Sequence, residues 1–180
     1  MTLSRFKTLL NTNSIPYQER EFENEAAFLK YVIENPCISR AKDNKHYALI
    51  IQSNNGNKHI ILEFEEKNNE YVFWDLWFGN FSFEYFLGDA AGDNSYLMDE
   101  IQAIIKGTTT IVSVTNAKTK RWIADAQFDR NDTEDDLFGE VGFQKAMKRI
   151  QKKKSFLERL FFAERKYEIY DWNTYKVIIK

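Results

Sequence analysis

Residues 47–78, YALIIQSNNGNKHIILEFEEKNNEYVFWDLWF, contain three strand patterns in succession. The first two patterns meet at residues 54–57, where Asn-Gly favours a tight turn because both residues tolerate positive φ. In the second pattern, apolar and acidic residues alternate over residues 60–65. Since no helical segment separates the three patterns, we expect an antiparallel meander and not a series of parallel βαβ units.

Apolar residues at helical spacing predict helices on both sides of these strands. Thr2 is placed to cap the first helix, and Asn24 precedes the second. Gly107 follows the third, where a C-terminal glycine is expected. The predicted helices cover residues 2–11, the segment between Asn24 and Asn35-Pro36, residues 96–106, and stripes within residues 143–161.

Two further hairpins are predicted, over residues 108–129 and 166–180. In the first, Val112 and Val114 are expected to share a face with Trp122, Ala124 and Phe128. Together these patterns predict an α+β fold with a single domain over residues 1–180. Its mostly antiparallel meander sheet would be packed by N-terminal, central and C-terminal helices.

The composition argues against most catalytic and metal sites. The chain of 180 residues has one cysteine, two histidines and a formal net charge of −2. His46, His59 and Cys37 have no neighbouring nucleophile motif, so we expect no catalytic residues and no enzyme activity. One thiol excludes a site built on several thiolates, and we expect neither a cofactor nor a bound metal.

The same composition bears on location and partners. No apolar run approaches the length of a membrane span, and no signal-peptide core is visible, so we expect a cytoplasmic protein without membrane contact. The basic run at residues 145–154 lies beside acidic residues in an acidic chain. We therefore interpret it as a solvated helix face, and nucleic-acid binding is not expected.

The segment of residues 71–87, YVFWDLWFGNFSFEYFL, is rich in aromatic residues around one acid, Asp75. Simple alternation would place Tyr71, Phe73 and Trp77 on the same face as this acid. Three interpretations remain open for Asp75: a structural acid bonded to backbone N–H groups or a basic residue, a ligand-pocket acid, or a partner-binding acid. Gly79-Asn80 is expected to interrupt the strand or form a bulge.

These interpretations define two sets of candidate site residues. A ligand pocket would contain Trp74, Asp75 and Trp77. A partner-binding surface would combine aromatic anchors with the acidic loop after residue 128, because aromatic side chains and charge complementarity both favour protein recognition. Its predicted members are Trp77, Phe78, Asp129, Asp132, Glu134, Asp135 and Asp136.

Residues 71–129 resemble small immunity proteins of bacterial polymorphic-toxin systems. The shared features are a strand containing Trp-Phe-Gly, the helix LMDEIQAIIKG and the hairpin TTTIVSVTNAKTKRWIADAQFD. The resemblance implies a cytosolic antitoxin that binds and neutralises a cognate toxin protein. If that toxin were a nuclease, the acidic loop could mimic phosphates. The competing interpretation is a small-ligand-binding α+β domain with an aromatic pocket around Asp75.

Overall fold

The computed structural model describes residues 2–33, 36, 38, 41–83, 95–129 and 164–179. Across these residues it contains three helices and two antiparallel sheets, which confirms the predicted α+β class. The helices are α1 (Leu3–Thr12), α2 (Glu25–Val32) and α3 (Ser95–Ile105). The strands are β1 (Gln18–Phe22), β2 (His46–Ile51), β3 (Ile60–Lys67), β4 (Glu70–Phe78), β5 (Phe81–Ser82), β6 (Thr109–Asn116), β7 (Trp122–Asp129), β8 (Arg165–Tyr170) and β9 (Tyr175–Ile179).

The chain divides into two compact units, Met1–Tyr96 and Leu97–Lys180. Each unit contains one of the two sheets. The prediction of a single domain over residues 1–180 stays a prediction beside this division. The predicted helical stripes within residues 143–161 and the basic run at residues 145–154 lie outside the described residues.

The first sheet has the strand order β1-β2-β3-β4-β5 and contains the predicted three-stranded meander as β2, β3 and β4. Gly56 has a φ of +68° in the turn between β2 and β3. Asn68 and Asn69, with φ of 52° and 62°, turn the chain from β3 into β4. Asparagine tolerates this left-handed conformation better than most residues, so these turns follow from local sequence chemistry.

Strand β1 was missed by sequence analysis. Its sequence, QEREF, is exposed at four of five positions and has no apolar alternation. It pairs with β2 from Gln18 opposite Ile50 to Phe22 opposite His46. Only the last residue, Phe22, enters the core, so the strand depends on its partner and not on its own pattern.

Helices α1 and α2 contribute aromatic side chains to different parts of the first sheet. Phe6 of α1 contacts Phe64 and Phe73, with ring centroids 5.3 and 5.0 Å apart. Phe28 of α2 contacts His46 and Trp77, with centroid distances of 5.7 and 6.1 Å. Strand β4 therefore contacts α1 through Phe73 and α2 through Trp77. This agrees with its composition, which is apolar on both faces.

The helix caps were predicted with mixed success. The side chain of Asn24 accepts a hydrogen bond from the Ala27 N–H at 2.9 Å, as an N-cap residue should. Thr2 precedes α1, but its side chain makes no capping hydrogen bond and instead lies 3.2 Å from the Ser4 hydroxyl. The predicted Thr2 side-chain cap is therefore wrong.

Gly79-Asn80 ends β4 and reverses the chain. Gly79 has a φ of +60°, and β5 returns beside β4 with Phe81 opposite Phe78. The short strand covers only Phe81 and Ser82. Phe81 and Ser82 are therefore not an extension of β4, and residues from 84 to 94 lie outside the described part of the chain.

The second sheet has the strand order β7-β6-β8-β9 and includes both predicted hairpins. The register of β6 and β7 shifts between Val114 and Thr115, so that Trp122 lies opposite Thr115. Val114 and Ala124 join a buried cluster, whereas 60% of Trp122 is exposed. The predicted shared face was therefore wrong for Trp122, because a bulge changes strand alternation.

Candidate functional site

A second bulge, in β4, controls which side chains meet on the first sheet. Asp75 lies opposite Glu63 and Phe73 lies opposite Phe64, which leaves Trp74 as the extra residue. Phe73 contacts Phe6 of α1, whereas Trp77 contacts Phe28 of α2. The expected common face for Tyr71, Phe73, Asp75 and Trp77 is therefore wrong, because one unpaired residue moves Asp75 and Trp77 to the other face.

On the α2 side of the sheet, Glu63 is the centre of a buried polar network. The His46 Nδ1 lies 2.7 Å from Glu63 Oε1, and the Trp77 indole N–H donates to Oε2 at 2.8 Å. All three side chains are at least nine-tenths buried, and Phe28 stacks on the imidazole. Each carboxylate oxygen thus has a partner, which offsets the cost of burying this acid.

Asp75 lies directly opposite Glu63, and both of its carboxylate oxygens accept hydrogen bonds. One oxygen accepts a hydrogen bond from the Leu76 N–H at 2.7 Å, and the other accepts one from the Ser82 hydroxyl. The bond to a backbone N–H corresponds to the structural interpretation of this residue. Trp77 is buried in the cluster around Phe22 and Phe28, while 36% of Trp74 is exposed.

Glu65 connects the buried face to the surface through two lysines. The Asn44 amide donates to Oε1 at 2.7 Å, Lys42 Nζ lies 3.3 Å from Oε1, and Lys67 Nζ lies 3.2 Å from Oε2. Burial alone would raise the pKa of the Glu65 carboxyl. The hydrogen bonds from Asn44 and Lys67 and the charges of both lysines outweigh that effect, so the pKa lies below its ordinary value.

The same two lysines also contact Trp74. Lys42 Nζ lies 4.6 Å and Lys67 Nζ 4.7 Å from the ring centroid. The bulge thus places an indole beside two ammonium groups that share one buried carboxylate. We call Trp74, Lys42, Lys67 and Glu65 the Trp74 cluster.

A separate set of contacts ties the charged edge strand β1 to its neighbours. Glu19 accepts hydrogen bonds from the Lys7 ammonium at 2.7 Å and from the Tyr47 hydroxyl. The Lys7 and Tyr47 bonds hold the pKa of Glu19 below its ordinary value, against the effect of burial. Burial and the hydrogen bond to Glu21 raise the pKa of Tyr71. These contacts use the acids of β1 to anchor the strand.

Strand β9 presents apolar side chains at an open edge of the second sheet. Val177 is 42% exposed and Ile179 is 60% exposed. Both side chains lie on the same face of the strand. Ile178, between them, packs on the other face against the cluster of Val112 and Tyr167. In the described part of the chain, β9 pairs only with β8. Among the described residues, β9 is thus an edge strand of the second sheet.

The predicted partner-binding residues are divided between the two units and the part of the chain outside the described residues. Trp77 and Phe78 are core residues of the first unit, and Asp129 ends β7 in the second. Asp132, Glu134, Asp135 and Asp136 lie outside the described residues. The predicted set and the Trp74–Asp75–Trp77 pocket therefore stay predictions.

Sequence analysis missed the roles of Glu63, Glu65 and the lysines. The alternation of β3 places both acids on the face opposite Leu62, and acids at alternate positions suggest a face in contact with water. A signal was present in β4, since residues 71–78 are apolar on both faces and thus indicate a sheet covered on both sides. Acids of a neighbouring strand in such a sheet require buried partners.

Comparisons with known proteins find no counterpart for this arrangement. No family model matches the sequence, no curated protein is significantly similar, and no solved structure is significantly similar. Within the described ranges, no helix is long and apolar enough to cross a membrane. In that same part of the chain, no group of three or more His, Cys, Asp or Glu side chains is arranged to hold a metal ion.

Proposed function

We propose that this protein is a non-catalytic protein-binding module that receives a strand of its partner at the outer edge of β9. The observation that carries the proposal is the exposed apolar pair Val177 and Ile179 on a strand that, within the described ranges, pairs on one side only. Strand addition supplies main-chain hydrogen bonds, while alternate side chains provide apolar contacts and specificity.

The other sheet edges of the described structure are protected against such pairing. Strand β1 carries Glu19, Arg20 and Glu21 at exposed positions, and β5 is only two residues long. Strand β7 contains a bulge, and Trp122 beside it donates its indole N–H to Asp125 at 2.8 Å. Charges, short strands and bulges are the usual devices that prevent edge pairing.

Strand β9 lacks a bulge and is longer than β5. It pairs with β8 in continuous register from Tyr175 to Ile179, without a bulge. Its single charged residue is Lys176, which lies between Tyr175 and Val177 and so points away from the exposed apolar pair. An edge that is regular and apolar on its exposed face suits a partner strand with apolar residues at alternate positions.

The narrower proposal is that the partner is a bacterial toxin, and that this chain is its cytoplasmic immunity protein. The resemblance over residues 71–129 supports this narrower proposal. A stoichiometric antitoxin needs an exposed recognition surface and no catalytic group. An open edge strand would meet that need by giving affinity through backbone pairing.

The test is a pull-down from native bacterial lysate with the whole chain as bait, followed by size-exclusion chromatography of the bound fraction. The wild-type protein should retain one protein at fixed stoichiometry, and Val177→Lys should retain at least about tenfold less, since a charge would be forced into an apolar strand contact. Gln18→Lys, which adds the same charge to the edge strand β1, serves as the matched control and should bind as the wild type does.

Three outcomes would overturn parts of the proposal. If the wild-type protein retains nothing, the binding module is wrong. If Val177→Lys and the wild type retain the partner equally, β9 is not the docking edge. The toxin proposal fails if the retained protein is harmless when it is expressed alone.

A further inference from the structure

The Trp74 cluster has features of a binding site that β9 does not share. Its indole is 36% exposed, and two ammonium groups lie within 4.7 Å of the ring centroid. The bulge in β4 is what makes Trp74 an extra, unpaired residue at this point. Bulges are common where a strand directs a side chain toward a functional surface.

A buried acid, Glu65, holds both lysines in position. Glu65 is almost fully buried, and each of its two oxygens lies within 3.3 Å of one lysine Nζ. Asn44 holds the same carboxylate with a hydrogen bond of 2.7 Å. The two lysine side chains are therefore already ordered by the carboxylate and the indole, which lowers the entropy cost of binding a further group.

The cluster retains binding capacity toward solvent. Both lysine side chains are about half exposed. An ammonium group has three N–H donors. Lys42 donates to Glu65 Oε1, and Lys67 forms an ion pair with Oε2 at 3.2 Å. With two lysines and one acid, the cluster carries a formal charge of +1. Donors therefore remain for an oxygen ligand that approaches from solvent beside the indole.

We propose that Lys42, Lys67 and Trp74 form a recognition site for a carboxylate side chain of a protein partner. The carboxylate accepts hydrogen bonds from both ammonium groups, and the apolar stem of the same Asp or Glu packs on the exposed part of the indole. The site lies in the first unit and does not rest on the strand-pairing function proposed for β9.

The charge around the site favours a single carboxylate over a polyanion. Residues 1–96 contain nine Lys or Arg and fourteen Asp or Glu, a formal net charge of −5. A nucleic acid needs several neighbouring cations for its row of phosphates. One carboxylate in an otherwise neutral or basic partner gains the local attraction without the wider repulsion.

The test uses a blocked pentapeptide, Gly-Glu-Gly-Glu-Gly, titrated into the ¹⁵N-labelled full chain. Binding is followed by the chemical shift of the Trp74 indole N–H. That signal is assigned as the one that disappears in Trp74→Phe. Lys42→Gln with Lys67→Gln should weaken binding about tenfold or more, as expected for the loss of two charge-assisted hydrogen bonds. Lys30→Gln with Lys45→Gln removes the same charge from exposed positions of the first unit and should change affinity less than about twofold.

Two further titrations complete the test. The peptide Gly-Gln-Gly-Gln-Gly should leave the Trp74 signal unchanged, because it lacks the carboxylates. Inorganic phosphate should bind more weakly than the glutamate peptide, since it has no apolar stem for the indole. The proposal is overturned if the glutamate peptide does not move the signal, if the two lysine pairs have equal effects, or if phosphate binds as tightly as the peptide.

Discussion

Glu63 shows how one buried acid organises the core of the first unit. Its oxygens lie 2.7 Å from the His46 Nδ1 and 2.8 Å from the Trp77 indole nitrogen. The second imidazole nitrogen, Nε2, has no hydrogen-bond partner among the described residues. The bond between Nδ1 and Glu63 therefore fixes the orientation of His46 beside Phe28. Removal of His46 or Trp77 would leave one oxygen of a buried carboxylate without its partner.

Replacement of Trp77 by Phe tests this network. Trp77→Phe removes the indole N–H from Glu63 Oε2 and should lower the free energy of unfolding by about 2 kcal/mol, the scale for a lost hydrogen bond to a charged group. Trp74→Phe at the half-exposed bulge should cost less than about 1 kcal/mol. Hydrogen exchange of the β3 amides measures both. Equal costs for the two variants would show that the Glu63 bond contributes little.

At the scale of secondary-structure elements, the bulge in β4 decides the two faces of the first sheet. On one side of Trp74, Phe73 is opposite Phe64, and on the other side Asp75 is opposite Glu63. The extra residue lets both pairings coexist with apolar contacts toward α1 and a polar network toward α2. Without the bulge, a strict alternation would put Phe73 and Asp75 on the same face.

Deletion of Trp74 should therefore be tolerated. The shortened strand can keep every other β4 residue opposite its present partner, so the expected cost is about 1 kcal/mol for the lost indole and lysine contacts. Deletion of Val72 instead forces Tyr71 or Phe73 to change face and should cost about 3 kcal/mol or more. Thermal unfolding followed by circular dichroism compares the two, and similar melting temperatures would contradict this account of the bulge.

At the scale of the whole molecule, charge is divided unequally between the two units. The first has a formal net charge of −5, and the second, with sixteen basic and thirteen acidic residues, has +3. The first unit holds Glu19 and Glu65, whose pKa values are both lowered by bonds to lysine and to neutral donors. Acidic pH should therefore lower the stability of the first unit, because the folded state stabilises the ionised forms of Glu19 and Glu65.

The sign of this pH effect follows from the lowered pKa values. A carboxyl whose pKa is lower in the folded state contributes stability above its unfolded pKa, and loses it as the pH falls through the folded value, here below about 4.5. Glu65→Gln should therefore be less stable than the wild type near pH 7, and the difference should shrink at about pH 3. Exposed Glu70→Gln controls for the removal of one charge, and urea unfolding measures all three proteins. A difference that does not depend on pH would contradict the role given to Glu65.

The sequence by itself determined the α+β class, the meander of the first sheet and most element positions. Local chemistry was sufficient there: Asn-Gly and Asn-Asn favour tight turns, Asn24 caps α2, and Gly107 takes the positive φ that follows α3. Such features depend on neighbours within a few residues. A single chain therefore shows them without any knowledge of long-range contacts.

Tertiary structure alone decided the bulges, strand β1 and the partners of the buried acids. Strand β1 has no apolar pattern and exists because β2 offers an edge. Trp74 and Trp122 leave the faces that alternation assigns to them, since the register of a strand is set by its neighbour. Glu63 and Glu65 look like surface acids in sequence, but their burial is allowed by partners from distant positions, His46, Trp77, Asn44 and Lys42, and by the neighbouring Lys67.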